Sequence, residues 1–266
     1  MKLKKSVTAD AHSSSLKTEW FGYFNFEPRN ESQKKAAELF KSKRVLFLLG
    51  QAGSGKTFAA VALALQHTLA LLTNKKVRDA DSMSASLKVE DSSSTRLSWI
   101  HGVPQIVLTR PVVEAADEHL GFIPGDTDDK IAPYLEPAYA VVDRLKTSMI
   151  LPDGFDPRKL FKAVPLAYLR GWTLPSIAVL EEAQNCNLKQ LVCFLTRLGK
   201  GAKAIITADP SQNDVASRSR KPPIVEVIKK LSTLDEVGVV HTTAADNLRD
   251  PFVNKVLKAF NLNGVE

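Results

Sequence analysis

The chain has 266 residues, enough for one large domain with a sizeable buried core, so a small scaffold held together by disulfides or metal is excluded. Hydrophobic residues at 44% and charged residues at 24% place it among folded globular proteins and outside the disordered and fibrous classes. With 36 Lys and Arg against 29 Asp and Glu, the formal charge is +7, which favours a polyanionic partner without requiring one.

Residues 1–20 are polar, rich in Ser and Lys and without sustained periodicity, and read as a loosely ordered lead-in to one domain over 21–266. The basic start, Met1 to Val7, runs into Thr8, Asp10 and serines instead of an apolar segment, so it does not read as a signal peptide. A helix is predicted from Asn30, a capping residue followed by Ala36, Leu39 and Phe40 at helical spacing. Val45–Leu49 is a short apolar run suited to a strand covered on both faces. After a glycine-rich turn, Phe58 to Leu72 reads as a buried helix; Gln66, His67 and Thr68 interrupt it, and it is too short to span a bilayer. No membrane association is expected, and the frame is a cytoplasmic protein.

From 74 to 98 the chain turns polar and reads as an inserted surface loop, with a short hairpin expected at Ser86 to Val89. Further strands are predicted at Ile106–Thr109, Ile177–Leu180, Ala204–Thr207 and Val237–Val240, with helical patterns between most of them. Gly154 to Pro165 reads as a second excursion from the core. The expected fold is therefore α/β, a doubly wound and mostly parallel sheet of about five strands. Cys186 and Cys193 fall seven residues apart on what reads as one helix, a poor geometry for a bridge, so both are expected to be reduced.

Gly50-Gln51-Ala52-Gly53-Ser54-Gly55-Lys56-Thr57 fits the pattern G-x-x-x-x-G-K-[ST] and lies between a predicted strand and a predicted helix, the context that this motif requires. Its glycines let backbone N–H groups wrap phosphates at a helix N-terminus. Lys56 is expected to neutralise the β- and γ-phosphates, and the Thr57 hydroxyl to ligate Mg²⁺. The strand Ile177–Leu180 ends in Glu181 and Glu182, at the edge where open parallel sheets bind ligands. Side-chain alternation assigns Glu181 to the metal shell and leaves Glu182 to polarise the attacking water. Thr207 to Gln212 again carries polar groups beyond a strand: Gln212 is a candidate for orienting the water, and Asp209 for holding the loop. A phosphoryl-transferring kinase would need no such water-activating acids.

These motifs resemble the PhoH family of P-loop ATPases, related in their core to superfamily 1 helicases. The resemblance covers about residues 28–260. It rests on the phosphate loop, on Thr109-Arg110-Pro111-Val112-Val113-Glu114-Ala115, on Leu120 to Asp126, and on Lys130-Ile131-Ala132-Pro133-Tyr134-Leu135. It continues through Pro165 to Gly171, Glu182-Ala183-Gln184-Asn185, Phe194 to Gly199, and Thr207 to Gln212. The resemblance implies a single RecA-like domain that binds and hydrolyses ATP with Mg²⁺. It also implies assembly as a homo-oligomer, often a ring, with RNA or single-stranded DNA as partner.

Residue by residue, it implies that Gln33 reads the adenine edge and that Arg110 lies near phosphates or nucleic acid. It makes Arg170 and Arg249 the candidate charge-stabilising arginines. Arg218, Arg220 and Lys221 are further candidate nucleic-acid contacts. Three positions depart from the family pattern: Glu181 stands where Asp is usual, Trp172 where a second arginine is usual, and Asp250 where His is common. The competing expectation is a nucleotide-switched interaction module, hydrolysing slowly and without a nucleic-acid role.

Overall fold

The computed structural model describes residues 23–51, 53–73, 99–100, 103–104, 106–111, 127–151, 153–174, 176–212, 222–242, 252 and 255. In chain order the helices are α1 (Glu31–Ser42), α2 (Lys56–Thr73), α3 (Thr127–Leu145), α4 (Leu188–Thr196) and α5 (Pro223–Leu231). The strands are β1 (Val45–Leu49), β2 (Trp99–Ile100), β3 (Val103–Pro104), β4 (Ile106–Thr109), β5 (Phe161–Ala163), β6 (Ile177–Leu180), β7 (Lys203–Ala208) and β8 (Val237–His241).

Six of these strands form one sheet in the order β5-β4-β6-β7-β1-β8, with every pair parallel; β2 and β3 form a small antiparallel pair. The α/β doubly wound fold is thus as expected, and the sheet has one strand more than the expected five. The additional strand is β5, inside the stretch read as an excursion. It is three residues long at the sheet edge with Lys162 half-buried, too short for either period to show. The hairpin expected at Ser86 to Val89 lies outside the described residues.

Strand side chains alternate between two layers of core, which is why the central strands read as unbroken apolar runs. Leu46 and Leu48 of β1, Val179 of β6 and Ile205 of β7 pack with α1, α2 and α3 on one face. Phe47, Ala178, Leu180 and Ile206 pack with Leu191, Phe194, Ile224 and Val227 of α4 and α5 on the other. Helix α2 is covered nearly all round from Phe58 to Leu65, consistent with its weakly amphipathic sequence. Asn30 caps α1 by accepting from the Gln33 N–H at 2.8 Å, and Lys203 at the start of β7 caps its other end, donating to the carbonyls of Phe40 and Lys43.

Cys186 and Cys193 are both free thiols, as expected, but they do not share a helix. Cys186 ends a short 3₁₀ turn, Ala183–Asn185, and α4 begins two residues later behind the Asn187 cap. No described helix is long and apolar enough to cross a membrane.

Candidate functional site

All six strands of the large sheet point one way, so the turns after β1, β4, β6 and β7 gather at one edge. Strand β7 lies between β1, which feeds the glycine loop, and β6, which feeds the acid pair. That interposed strand brings Thr207 to Gln212 between the loop and the carboxylates.

The loop is built on positive backbone φ angles at Gly50 (148°), Gly53 (91°) and Gly55 (77°). Gly50 also has a steric reason to lack a side chain: a Cβ there would lie 1.7 Å from Thr242 Oγ1, just beyond β8. The Thr242 N–H donates to the Leu49 carbonyl at 2.7 Å, which fixes that contact. Ser54 Oγ donates to the Gln51 carbonyl at 2.9 Å, and the Lys56 ammonium donates to the carbonyls of Gly50 (2.6 Å) and Gln51 (2.8 Å). Helix α2 begins at Lys56, so its first turn, with Thr57, faces the loop. Ala52 lies outside the described residues.

The two acids occupy opposite environments. Glu181 is buried, and its N–H donates to the Thr109 carbonyl at 2.9 Å. Burial pushes its carboxyl pKa up; hydrogen bonding to Thr57 and the charges of Arg110 and Lys56 oppose that rise, while the neighbouring Glu182 adds to it. Its Oε1 is buried with no hydrogen-bond partner among the described residues. A buried carboxylate oxygen left without a donor, beside a threonine at the first turn of α2, is suited to a hard cation that takes oxygen ligands. Among the described residues no cluster of three or more His, Cys, Asp or Glu side chains forms a self-sufficient metal cage. The orphaned carboxylate oxygen of Glu181 fits Mg²⁺, which typically takes one or two protein oxygens and completes its shell with phosphate and water.

Glu182 is exposed and adopts left-handed backbone angles, φ 53° and ψ 40°, the one such non-glycine residue among those described. That turn sets Glu182 just past the end of β6. Gln184 holds it there: its Nε2 donates to Glu182 Oε2 at 2.6 Å, and its Oε1 accepts from the Asp209 N–H at 3.0 Å. Gln184 is 1% exposed, so both ends of the carboxamide are committed. Asp209 in turn accepts from the N–H and hydroxyl of Ser211, and its carbonyl accepts from the Gln212 N–H at 3.0 Å. Sequence pattern assigns Gln184 no role, because its partner lies 25 residues away. Its signal is its place in Glu182-Ala183-Gln184-Asn185, one of the segments that carry the family resemblance.

Gln33 is 2% exposed; its Oε1 accepts from the Arg29 N–H at 2.8 Å, and its Nε2 is a buried donor without a partner among the described residues. The Arg29 guanidinium lies 4.3 Å over the ring of Phe58, which directly follows Thr57. Both line a pocket of about 210 Å³ with Asn25, Glu27, Arg144 and Ser148. Arg110 is half-buried, and its charge acts on Glu181. Gln212 is exposed. Arg170 is exposed and lines a groove against α4, with none of the phosphate-loop or acid-pair residues in its lining. Arg218, Arg220, Lys221 and Arg249 lie outside the described residues.

Comparison with known proteins agrees with the motifs. The chain is similar to a "PhoH-like protein" of Mycobacterium bovis, 32% identical over 234 residues that make up 88% of this chain and 57% of that one. It is similar to a "PhoH-like protein" of Bacillus subtilis, 31% identical over 260 residues, 97% of this chain and 68% of that one. It is also similar to "Protein PhoH" of Escherichia coli, 31% identical over 236 residues, 88% of this chain and 57% of that one. The chain thus spans little more than half the length of the mycobacterial and E. coli relatives.

Among solved structures, the large terminase of a thermophilic bacteriophage matches with a TM-score of 0.48 and 14% identity, over 87% of this chain and 50% of that one. The same terminase in complex with ADP matches with a TM-score of 0.47 and 13% identity, over 87% of this chain and 50% of that one. The model of the family described as "PhoH-like protein" matches residues 25–79 and 98–261, which include the glycine loop, the acid pair and the turns after β4 and β7. The chain therefore belongs to the PhoH family.

Proposed function

We propose that this chain binds ATP with Mg²⁺ and hydrolyses it, and that RNA or single-stranded DNA controls the turnover. The observation that carries the reading is the division of labour between two adjacent carboxylates, one buried beside Thr57 and one exposed in a left-handed turn braced by Gln184.

The backbone N–H groups of the glycine loop and the Lys56 ammonium take the phosphates, and Gln33, whose Nε2 is a buried donor, reads the adenine edge. Thr57 and Glu181 would hold Mg²⁺, which neutralises charge on the β- and γ-phosphate oxygens when bound. Glu182 accepts a proton from the water that attacks the γ-phosphorus in line; the bond to the bridging oxygen breaks, and ADP and inorganic phosphate result. Gln184 fixes the direction of the Glu182 carboxylate. Through the Asp209 N–H, it ties that direction to the turn bearing Gln212, the candidate for orienting the attacking water. Arg249 is the candidate to stabilise charge on the transferring group, from its own subunit or a neighbour's in a homo-oligomer.

Phosphate release from ATP and Mg²⁺, with and without single-stranded RNA, tests this. Lys56→Ala should abolish nucleotide binding, whereas Glu182→Gln should leave binding intact and lower release roughly 100-fold or more. Release indifferent to RNA or single-stranded DNA would favour the nucleotide-switched interaction module. Phosphate appearing on an acceptor molecule instead of in solution would make the chain a kinase.

A further inference from the structure

Arg170 lies in a groove of about 370 Å³ between the 3₁₀ turn Leu166–Leu169 and helix α4. Ala167 and Arg170 form one wall, and Asn187, Lys189, Gln190 and Cys193 the other. The lining carries two cations and no carboxylate. Neither Arg170 nor Lys189 has an ion-pair partner among the described residues.

The two carboxamides are committed in one direction. Asn187 Oδ1 accepts from the Gln190 N–H at 2.9 Å, and Gln190 Oε1 accepts from the Asn187 N–H at 2.8 Å. This reciprocal cap occupies one lone pair of each carboxamide oxygen and leaves both NH₂ groups as donors. With the guanidinium and the ammonium, hydrogen-bond donors predominate among the groove's side chains. On the same 3₁₀ turn, two residues before Arg170, Tyr168 is 59% exposed.

We infer that this groove binds single-stranded nucleic acid, its donors taking the phosphates and Tyr168 stacking on a base. A donor-rich, positively charged lining and an exposed aromatic ring on the adjoining turn are a combination that suits single strands. The chain's net charge of +7 supplies long-range attraction of the same sign. The inference rests on the nucleic-acid-coupled reading above and assigns Arg170 to the strand instead of the γ-phosphate.

The groove is also wired to the acid pair. Asn187 lies five residues after Glu182, and the intervening turn Ala183–Asn185 is buried and carries Gln184, which grips the Glu182 carboxylate. A strand seated against the start of α4 therefore bears on the water-activating acid.

The protein's own thiols provide the test. Cys193 lines the groove, whereas Cys186 is buried with its thiol pKa pushed up to about 12, and so serves as an unreactive internal reference. The full chain is alkylated at low and moderate salt, with and without oligo(U) or oligo(dT) of about 12 nucleotides, and strand affinity is measured in parallel. The expected result is salt-sensitive protection of Cys193. Lys189→Glu should lower affinity roughly tenfold or more and flatten its salt dependence by about one contact. Tyr168→Ala should lower affinity roughly 5- to 100-fold, and Lys35→Glu on α1 should leave it near the parent value. Urea melts confirm that each variant is folded.

Three results would overturn the assignment. Strand binding by the parent chain, with Cys193 unprotected and both groove variants unaffected, would remove the groove and leave the nucleic-acid reading standing. No binding of either oligonucleotide would remove the reading and the groove together. Protection of Cys193 that rises with protein concentration and ignores nucleic acid would make the groove an interface between copies of the chain.

Discussion

The left-handed backbone at Glu182 gives a test in which stability and activity separate. For an L-residue this conformation costs about 1–2 kcal/mol, because Cβ crowds the following carbonyl. Glycine escapes that cost but loses about 0.4–1 kcal/mol relative to alanine through the greater freedom of its unfolded chain. At an ordinary position alanine is therefore the more stable of the two. At 182 (φ 53°, ψ 40°) the balance reverses, and Glu182→Gly should exceed Glu182→Ala by up to about 1.5 kcal/mol. Both variants lack the carboxylate that accepts from Gln184 Nε2, so that loss cancels in the comparison. Urea unfolding with a shared m-value measures the difference. Phosphate release should fall roughly 100-fold or more in both variants while nucleotide affinity is kept. If alanine proves more stable than glycine, as at an ordinary position, the fold does not enforce the left-handed turn, and the argument that it positions the water-activating acid fails. If either variant retains parental turnover, Glu182 is not the base.

Other perturbations follow from the same geometry. Gln184→Leu leaves the buried Asp209 N–H without its acceptor and should cost about 1–3 kcal/mol in urea melts, with a fall in turnover larger than any change in ATP affinity. Gly50→Ala would drive a Cβ into Thr242 Oγ1 at a φ of 148°; a loss of about 1–3 kcal/mol and of ATP binding is expected by calorimetry, with Thr242→Ala restoring only the steric part. His67 sits edge-on to Phe40 in the α1–α2 interface, and burial, reinforced by Lys203, lowers its pKa to about 4. Because this folded value lies below the unfolded one, the unfolded chain binds the extra proton first. The contribution of neutral His67 is therefore full above about pH 6.5 and is lost as pH falls toward 4, an effect of about 3 kcal/mol in urea melts that His67→Gln should remove. The exposed Asp143 carboxyl, held below its usual range by its hydrogen bonds to Arg158, keeps its smaller contribution near neutrality and loses it only at still lower pH, so Arg158→Met should lower stability slightly near neutrality and make no difference once Asp143 is protonated.

Much of the molecule is legible in the amino-acid sequence alone, because its determinants are local. Val45–Leu49, Ile106–Thr109 and Ile177–Leu180 announce buried parallel strands since both faces of each are covered, and the glycine loop declares itself because phosphate wrapping needs glycine at fixed spacings. What escapes depends on partners remote in sequence. Strand β5 exists only because β4 offers its edge, and its three residues carry no period of their own. The grip of Gln184 on Glu182 requires an Asp209 N–H brought alongside by β6–β7 pairing, and the demand for glycine at position 50 comes in part from Thr242, just beyond a strand far along the chain. Pattern and spacing thus determined which elements form and where the glycine loop falls between them. Only the closing of the sheet decided which polar groups meet, since hydrogen bonds and steric contacts act over a few ångströms regardless of separation along the chain.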